Sequence, residues 1–329
     1  MKIAILDDYQ QVVSGLRCFA LLQGLDVTVL PVTARDPAAL AAQLGDFDAL
    51  VLIRERTAIT EALLALLPNL KLISQTGKIT THLDLAACTR HGVAVAEGIG
   101  SPVAPAELTW ALLMNVLRQI PNAINAMRQG RWQTNMGTTV KGKTIGIWGY
   151  GKIGRRIARY AQAFEAGVCV WGSESSRQQA VADGFSAARN KAAFFAQSDV
   201  ITLHLRLTDA TQGIVTADDL ALMQPHAALI NTARAGLIAP GALLQALRNG
   251  RPGFAGLDVY EQEPVWNGAD PLLQMPNVVC TPHLGYVEEN SYELYFGKAF
   301  ENILQFIKGA PANIANPEVL VSNAGPGVL

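Results

Sequence analysis

A chain of 329 residues is too long for one ordinary hydrophobic core, and its length points to about two domains. Half of the residues are hydrophobic, 16% are charged, and the formal net charge is −1 with no acidic or basic tail. That balance supplies ample material for buried cores and argues against a nucleic-acid or membrane-surface partner.

The amino terminus, MKIAILDDYQ, reads as a strand rather than a signal, because Asp7 and Asp8 end its short apolar run. Strand-like runs follow at 27–32, 49–53, 71–75 and 93–96, after the first at 3–6. Helical patterns fall between them at 37–44, 60–67 and 83–91. Strands alternating with helices imply a parallel sheet covered on both faces. A long apolar helix is expected over 104–120, stopped near Pro121, with Glu107 near its start where an acid suits the helix dipole. A second alternation begins at Thr144, with strands at 144–148, 168–171, 200–203, 228–231, 256–259 and 278–280. The chain then turns helical over 288–307 and ends in a tail, 309–329, rich in Pro, Asn and Gly. No stretch of about 20 apolar residues lacks charge or helix breakers, so no membrane span is expected. Cys18, Cys88, Cys169 and Cys280 lie far apart, form no CxxC pair and read as small hydrophobes of a reducing compartment. No metal-ligand spacing is present. A cytoplasmic protein is the expectation.

The run Gly149-Tyr150-Gly151-Lys152-Ile153-Gly154 carries the most information. It follows the strand-like segment 144–148 and opens the helix-like segment 155–164, the context that separates a dinucleotide fingerprint from a chance spacing. Its first glycine makes a tight turn and the second lets backbone approach a pyrophosphate. The third lets helix pack close to strand, while the helix N-terminus offers free N–H groups to phosphate. The expected fold class is therefore α/β, with two doubly wound parallel-sheet domains. A Rossmann cofactor domain covers 101–286 and a flavodoxin-like substrate domain covers 1–100 and 287–329, with the cleft between them.

Three further segments place polar residues where a strand ends. They are Asn231-Thr232-Ala233-Arg234-Ala235-Gly236, Asp258-Val259-Tyr260-Glu261-Gln262-Glu263-Pro264 and Thr281-Pro282-His283-Leu284-Gly285. Arg, Glu and His at the ends of successive strands can converge on one site. The order fingerprint, NTARAG, GLDVYEQEP, TPHLG resembles that of the D-isomer-specific 2-hydroxyacid dehydrogenase family, and the likeness covers essentially the whole chain.

The resemblance implies a hydride transfer between a nicotinamide cofactor and a small 2-keto or D-2-hydroxy acid. Arg234 would grip the substrate carboxylate and polarise the keto oxygen. His283 would be the acid/base, since an imidazole titrates near working pH. Glu263, which like the family's glutamate precedes Pro, would fix the His283 tautomer; Glu261 is the competing acid. Asp258 matches a position near the nicotinamide carboxamide, with a structural strand-end role as its rival. Thr232 and Ala233 would approach the nicotinamide through backbone. His204 lies in a loop on the adenine and pyrophosphate side, where Arg206 departs from the family's usual proline. Arg206 adds a phosphate contact there or is simply solvated.

In the first domain Thr76, Gly77 and Lys78 match the loop whose amides bind the substrate carboxylate, and Lys78, unusual there, would add positive charge to the pocket. Arg54 and Arg56 either meet an anionic substrate tail or pair with Glu55 or Glu61. An acid about 20 residues past the fingerprint selects NAD over NADP, but Gly172 stands there. Glu174 keeps NAD, or Ser173, Ser175 and Arg177 cradle a 2′-phosphate; the sequence leans slightly to acceptance of NADP. Candidate substrates are glyoxylate or hydroxypyruvate, a phosphorylated hydroxy acid such as 3-phosphoglycerate, or a bulkier keto acid. The chain ends near residue 329 without an extra regulatory domain, which weakens, without excluding, the expectation of a feedback-regulated phosphoglycerate dehydrogenase. The competing class is a nucleotide-sensing protein resembling the corepressors of this fold. A homodimer is expected, joined through the helix 104–120 and the segment Arg131-Trp132-Gln133-Thr134.

Overall fold

A computed structural model describes residues 1–323, so part of the 309–329 tail lies outside the described residues. The chain divides into two compact units, 1–101 with 288–329 and 102–287.

The first unit holds a five-stranded parallel sheet. Its strands are β1 (Lys2–Ile5), β2 (Asp26–Val29), β3 (Ala49–Leu52), β4 (Leu72–Gln75) and β5 (Ala94–Ala96), in the order β2-β1-β3-β4-β5. The β1–β2 crossover runs through two 3-10 segments, Val13–Gly15 and Arg17–Leu22, and the short helices α1 (Pro37–Leu44), α2 (Glu61–Leu64) and α3 (Leu85–Arg90) carry the next three. Each starts as side-chain chemistry dictates, with Asp36, Thr60 and Asp84 accepting a backbone N–H of the first turn. β3 and β4 are buried along their whole length, which is why they read as continuous apolar runs. This is the flavodoxin-like order, whose switch point falls between β1 and β3.

The second unit opens with α4 (Val103–Arg118) and α5 (Ile120–Arg128). One helix ending near Pro121 was the expectation. Instead the break falls at Gln119, whose φ is 51°, and Pro121 sits in the first turn of α5. Proline is tolerated there because those N–H groups have no helical partner anyway.

A seven-stranded parallel sheet follows. It comprises β6 (Thr144–Trp148), β7 (Gly167–Trp171), β8 (Ser186–Ala187), β9 (Val200–Leu203), β10 (Ala228–Asn231), β11 (Phe254–Leu257) and β12 (Val278–Cys280). Their order is β12-β11-β10-β9-β6-β7-β8. The helices between them are α6 (Lys152–Ala163), α7 (Glu174–Ala182), α8 (Lys191–Gln197), α9 (Ala217–Ala221) and α10 (Ala242–Arg248). The strand order reverses between β6 and β9, the Rossmann switch point where dinucleotides bind. β11 lies two residues earlier than the apolar pattern 256–259 places it. The two-residue β8 has no sequence signal.

The chain returns to the first unit through α11 (Glu289–Ile307) and α12 (Glu318–Asn323). Helix α11 packs on β4, where Ser74 Oγ donates to the carbonyl of Ala299 at 2.8 Å. Among the described residues no helix is long and apolar enough to cross a membrane. The four cysteines are free thiols, and burial pushes Cys88 up to about 12.

One face of the second unit is fixed by an aromatic trio. Phe194 and Phe195 of α8 are fully buried, their rings 5.5 Å apart and 6.1 and 5.9 Å from Trp148. Phe194→Ala leaves a cavity there and is expected to cost about 3–5 kcal/mol in urea unfolding. A loss below about 1 kcal/mol would show that α8 does not anchor the sheet.

Candidate active site

The glycine fingerprint sits where β6 runs into α6, at the switch point. Gly149 donates its N–H to the carbonyl of Trp171 at 3.1 Å, closing the turn against β7. A Cβ on Gly154 would lie 2.2 Å from the Gly149 carbonyl oxygen, so only glycine lets α6 approach the strand this closely. A Cβ on Gly151 meets nothing within 4 Å, and no side chain caps the α6 N-terminus there. Open space before uncapped backbone N–H groups is what a pyrophosphate needs. The residues present therefore fit a dinucleotide. Lys152 and Ile153 form the first turn of α6, Lys152 exposed and Ile153 half-buried. The Tyr150 side chain turns away to Asp183, its hydroxyl donating at 2.9 Å, and burial with that acid pushes it up to about 12. Only the backbone of Tyr150 belongs to the turn. At the end of β9, His204 has a shielded, unpartnered Nε2, and burial pulls its imidazole down to about 3.

Arg234 follows β10. The buried Asn231 side chain holds this turn from both ends. Its Nδ2 donates to the Arg234 carbonyl at 2.9 Å, and its Oδ1 accepts from Ala233 N at 3.0 Å. Thr232 Oγ1 lies 2.6 Å from Thr109 Oγ1 of α4. The Arg234 guanidinium is half-buried and folds back to donate to the Ala233 carbonyl at 2.5 Å.

Glu263 and His283 meet. His283 Nδ1 lies 2.5 Å from Glu263 Oε2, while Glu263 Oε1 accepts from Tyr260 N at 2.8 Å. Both carboxylate oxygens are thereby aimed, and Nε2 is left as the imidazole atom for a substrate. The edge of Tyr286 packs on the same imidazole with ring centroids 5.4 Å apart. Glu261 instead accepts from Gly241 N at 3.1 Å, which separates it from the histidine.

Asp258 is buried, and its carboxylate gathers the loop that carries His283. Oδ1 accepts from Thr281 Oγ1 at 2.6 Å and Leu284 N at 2.7 Å, and Oδ2 from Gly285 N at 2.8 Å. Burial raises its pKa above the ordinary carboxylate value against these donors. The loop places His283 at φ 51°, a left-handed backbone a histidine holds only when its surroundings impose it. β10 and β12 flank β11 in the sheet, so the strand ends bearing Arg234 and His283 lie about 10 Å apart.

In the first unit, the ends of β3 and β4 make a second cluster. Arg54, at φ 54°, donates its N–H to Thr76 Oγ1 at 2.9 Å and Nη1 to the Thr76 carbonyl at 3.4 Å. Its guanidinium lies across Gly77, where a Cβ would sit 1.9 Å from Nη1. Lys78 Nζ pairs with Glu97 Oε2 at 2.5 Å. Arg56 donates to the Asp7 carbonyl at 2.6 Å and to Tyr292 Oη at 3.1 Å, while Glu61 pairs with Arg90. Sequence reasoning missed Asn231, Tyr286 and the Tyr260 amide as supports. Only Asn231, standing at a strand end inside the NTARAG motif, carried a signal.

Residues 110–285 match the NAD binding domain of the D-isomer specific 2-hydroxyacid dehydrogenases. The chain is 34% identical over 285 residues to the D-3-phosphoglycerate dehydrogenase of Bacillus subtilis, covering 86% of this chain but 54% of that protein. It thus spans about half the length of that relative. It is 33% identical over 306 residues to the glyoxylate reductase of Thermococcus litoralis, covering 88% of this chain and 91% of that one. The crystal structure of a phosphoglycerate oxidoreductase from Vibrio cholerae superimposes with a TM-score of 0.92 at 55% identity, over 94% of this chain and all of that one (100%).

Asp258→Ala removes three hydrogen bonds to one buried carboxylate and is expected to destabilise the protein by about 2–4 kcal/mol in urea. An unchanged unfolding midpoint would show that the 281–285 loop is held by other means. The neutral His204 has a consequence for acid stability. The unfolded imidazole binds a proton below about 6.5 that the folded one rejects down to about 3, so stability is lost as pH falls through that window. His204→Gln should flatten the decline of the urea midpoint between pH 7 and 4. An unaltered slope would mean that His204 is not its source.

Proposed function

Because the chain belongs to the D-isomer-specific 2-hydroxyacid dehydrogenase family, we propose that it is an oxidoreductase acting on a small 2-keto acid and its D-2-hydroxy acid. The observation that carries this reading is the 2.5 Å contact of His283 Nδ1 with Glu263, which leaves Nε2 for proton traffic. When bound, the nicotinamide supplies or accepts the hydride. The fingerprint glycines and the α6 N-terminus would hold its pyrophosphate, and the Thr232–Ala233 backbone would serve its nicotinamide end.

The protein's own groups do the rest. Arg234 presents a planar fork that takes the substrate carboxylate and draws charge toward the keto oxygen. During reduction His283 Nε2 delivers a proton to that oxygen, and during oxidation it takes one away. Glu263 holds Nδ1, so the ring cannot flip and Nε2 stays the nitrogen turned to the substrate. Asp258 positions the loop rather than the cofactor, since three donors already engage its carboxylate. In the first unit, taken by itself, the turn at Thr76 and Gly77 presents backbone amides and Arg54 a cation, an arrangement suited to an anion. Glyoxylate and hydroxypyruvate fit a short acid of this kind. A sensor that never turns over has no need of an aligned proton-transfer pair.

The same reading assigns a homodimer formed through the second unit. Ile124, Met127, Trp132 and Met136 are 41%, 59%, 75% and 88% exposed along and just beyond α5, an apolar surface that a second copy would cover. Trp132→Glu should convert the dimer to monomer in light scattering; a wild-type monomer would end that assignment.

With glyoxylate, hydroxypyruvate or pyruvate and reduced cofactor, Arg234→Ala and His283→Ala are each expected to lower kcat/KM by about 10²–10⁴ while the fold is retained. Full activity in either variant would overturn the assigned roles.

A further inference from the structure

The carboxyl end of β7 is where a Rossmann unit reads the adenosine ribose. What stands there bears on which dinucleotide the site takes, a question that rests on the dinucleotide assignment of the second unit. An acid at this position bonds the ribose diol and repels a phosphate. This chain has Gly172, with φ at 151°, a backbone conformation that an aspartate adopts only under strain. The acid is thus excluded by the backbone as well as by the sequence.

We infer that the site selects the 2′-phosphorylated cofactor, NADP(H), through Arg177 and the hydroxyls of Ser173, Ser175 and Ser176. The Arg177 guanidinium lies over Trp171 at 4.9 Å from the ring centroid, so the indole helps to place it before any ligand arrives. Its Nε is shielded from solvent and has no hydrogen-bond partner, a buried donor whose cost is relieved by an anionic acceptor. Ser173 Oγ lies 3.0 Å from Ser175 Oγ and 3.1 Å from Ser176 Oγ, which gathers three hydroxyls at the start of α7, the helix that carries Arg177. One of these oxygens, that of Ser173, also accepts from Ser176 N at 3.3 Å, which fixes the turn.

Glu174 is the group that would oppose a phosphate. Its Oε1 accepts from Gln178 Nε2 at 3.1 Å, one turn further along α7, so the carboxylate is directed along the helix. A 2′-phosphate offers three acceptor oxygens to a guanidinium and hydroxyls, and such charge-assisted bonds are the strong ones. A bare ribose diol leaves the arginine without an anion.

Calorimetric binding of 2′,5′-ADP and 5′-AMP to the full chain tests this without any turnover, because the two ligands differ only in the 2′-phosphate. The expected result is roughly tenfold or tighter binding of 2′,5′-ADP, the worth of one charge-assisted bond. Arg177→Gln should bring the two ligands within about threefold of each other. Glu174→Gln should leave 5′-AMP and NADH binding unchanged. Equal or weaker binding of 2′,5′-ADP by the wild-type chain overturns the inference, and so does a Glu174→Gln variant that loses NADH about tenfold. If neither nucleotide binds and NADH and NADPH also fail to bind, the dinucleotide assignment falls and this inference falls with it. Slow turnover with normal nucleotide binding would count against the proposed reaction alone.

Discussion

The buried carboxylate of Asp258 is the constraint on which the candidate active site depends. It stands where β11 ends, and its two oxygens collect a hydroxyl and two amides from residues 281–285. That grip sets His283 in a left-handed backbone conformation and so decides where the imidazole points. Glu263 then has only to meet Nδ1, which it does while its other oxygen is held by the Tyr260 amide. Each group in this chain is oriented by one that does not touch substrate. Placing an acid/base depends on such support, because an error of an ångström in its position weakens proton transfer severely.

Arg234 is held in a similar way by different chemistry. Asn231 is buried and spends its amide on both ends of the turn that carries the arginine. A neutral amide suits that task, since it both donates and accepts without bringing a charge into the sheet. In the first unit the same economy appears at Gly77, where the missing side chain makes room for the Arg54 guanidinium. The two left-handed residues other than glycine among the candidate site groups, Arg54 and His283, mark the places where the fold overrides local preference.

Charge placement separates the two ends of the dinucleotide site. At the fingerprint, the N-terminus of α6 is left without a side-chain cap, so its N–H groups remain for phosphate. At the end of β7, a serine caps α7 and an arginine stacks on Trp171, and the expected acid is missing. His204 contributes no charge because its imidazole is buried neutral.

Much of the architecture was legible in the residues. Apolar runs four to five residues long, separated by capped helices, can only be buried in parallel sheets covered on both faces. The glycine fingerprint, NTARAG, the glutamate before Pro264 and TPHLG carried the family resemblance, and the family is the one the comparisons show. What stayed hidden was set by contacts distant in sequence. Pro121 opens α5 instead of ending α4, because helix boundaries follow the placement of unsatisfied N–H groups. β11 stops before Asp258 because the carboxylate is needed 26 and 27 residues further on. Lys78 gives its charge to Glu97, and Tyr286 packs on His283, pairings that no local pattern encodes. The sequence alone determined the fold class, the order of the motifs and the candidate reacting residue types, since these follow from local periodicity and side-chain chemistry. Only the tertiary structure decided which groups orient the reacting ones, because hydrogen-bond geometry across a sheet is fixed by strand order and register rather than by neighbouring residues.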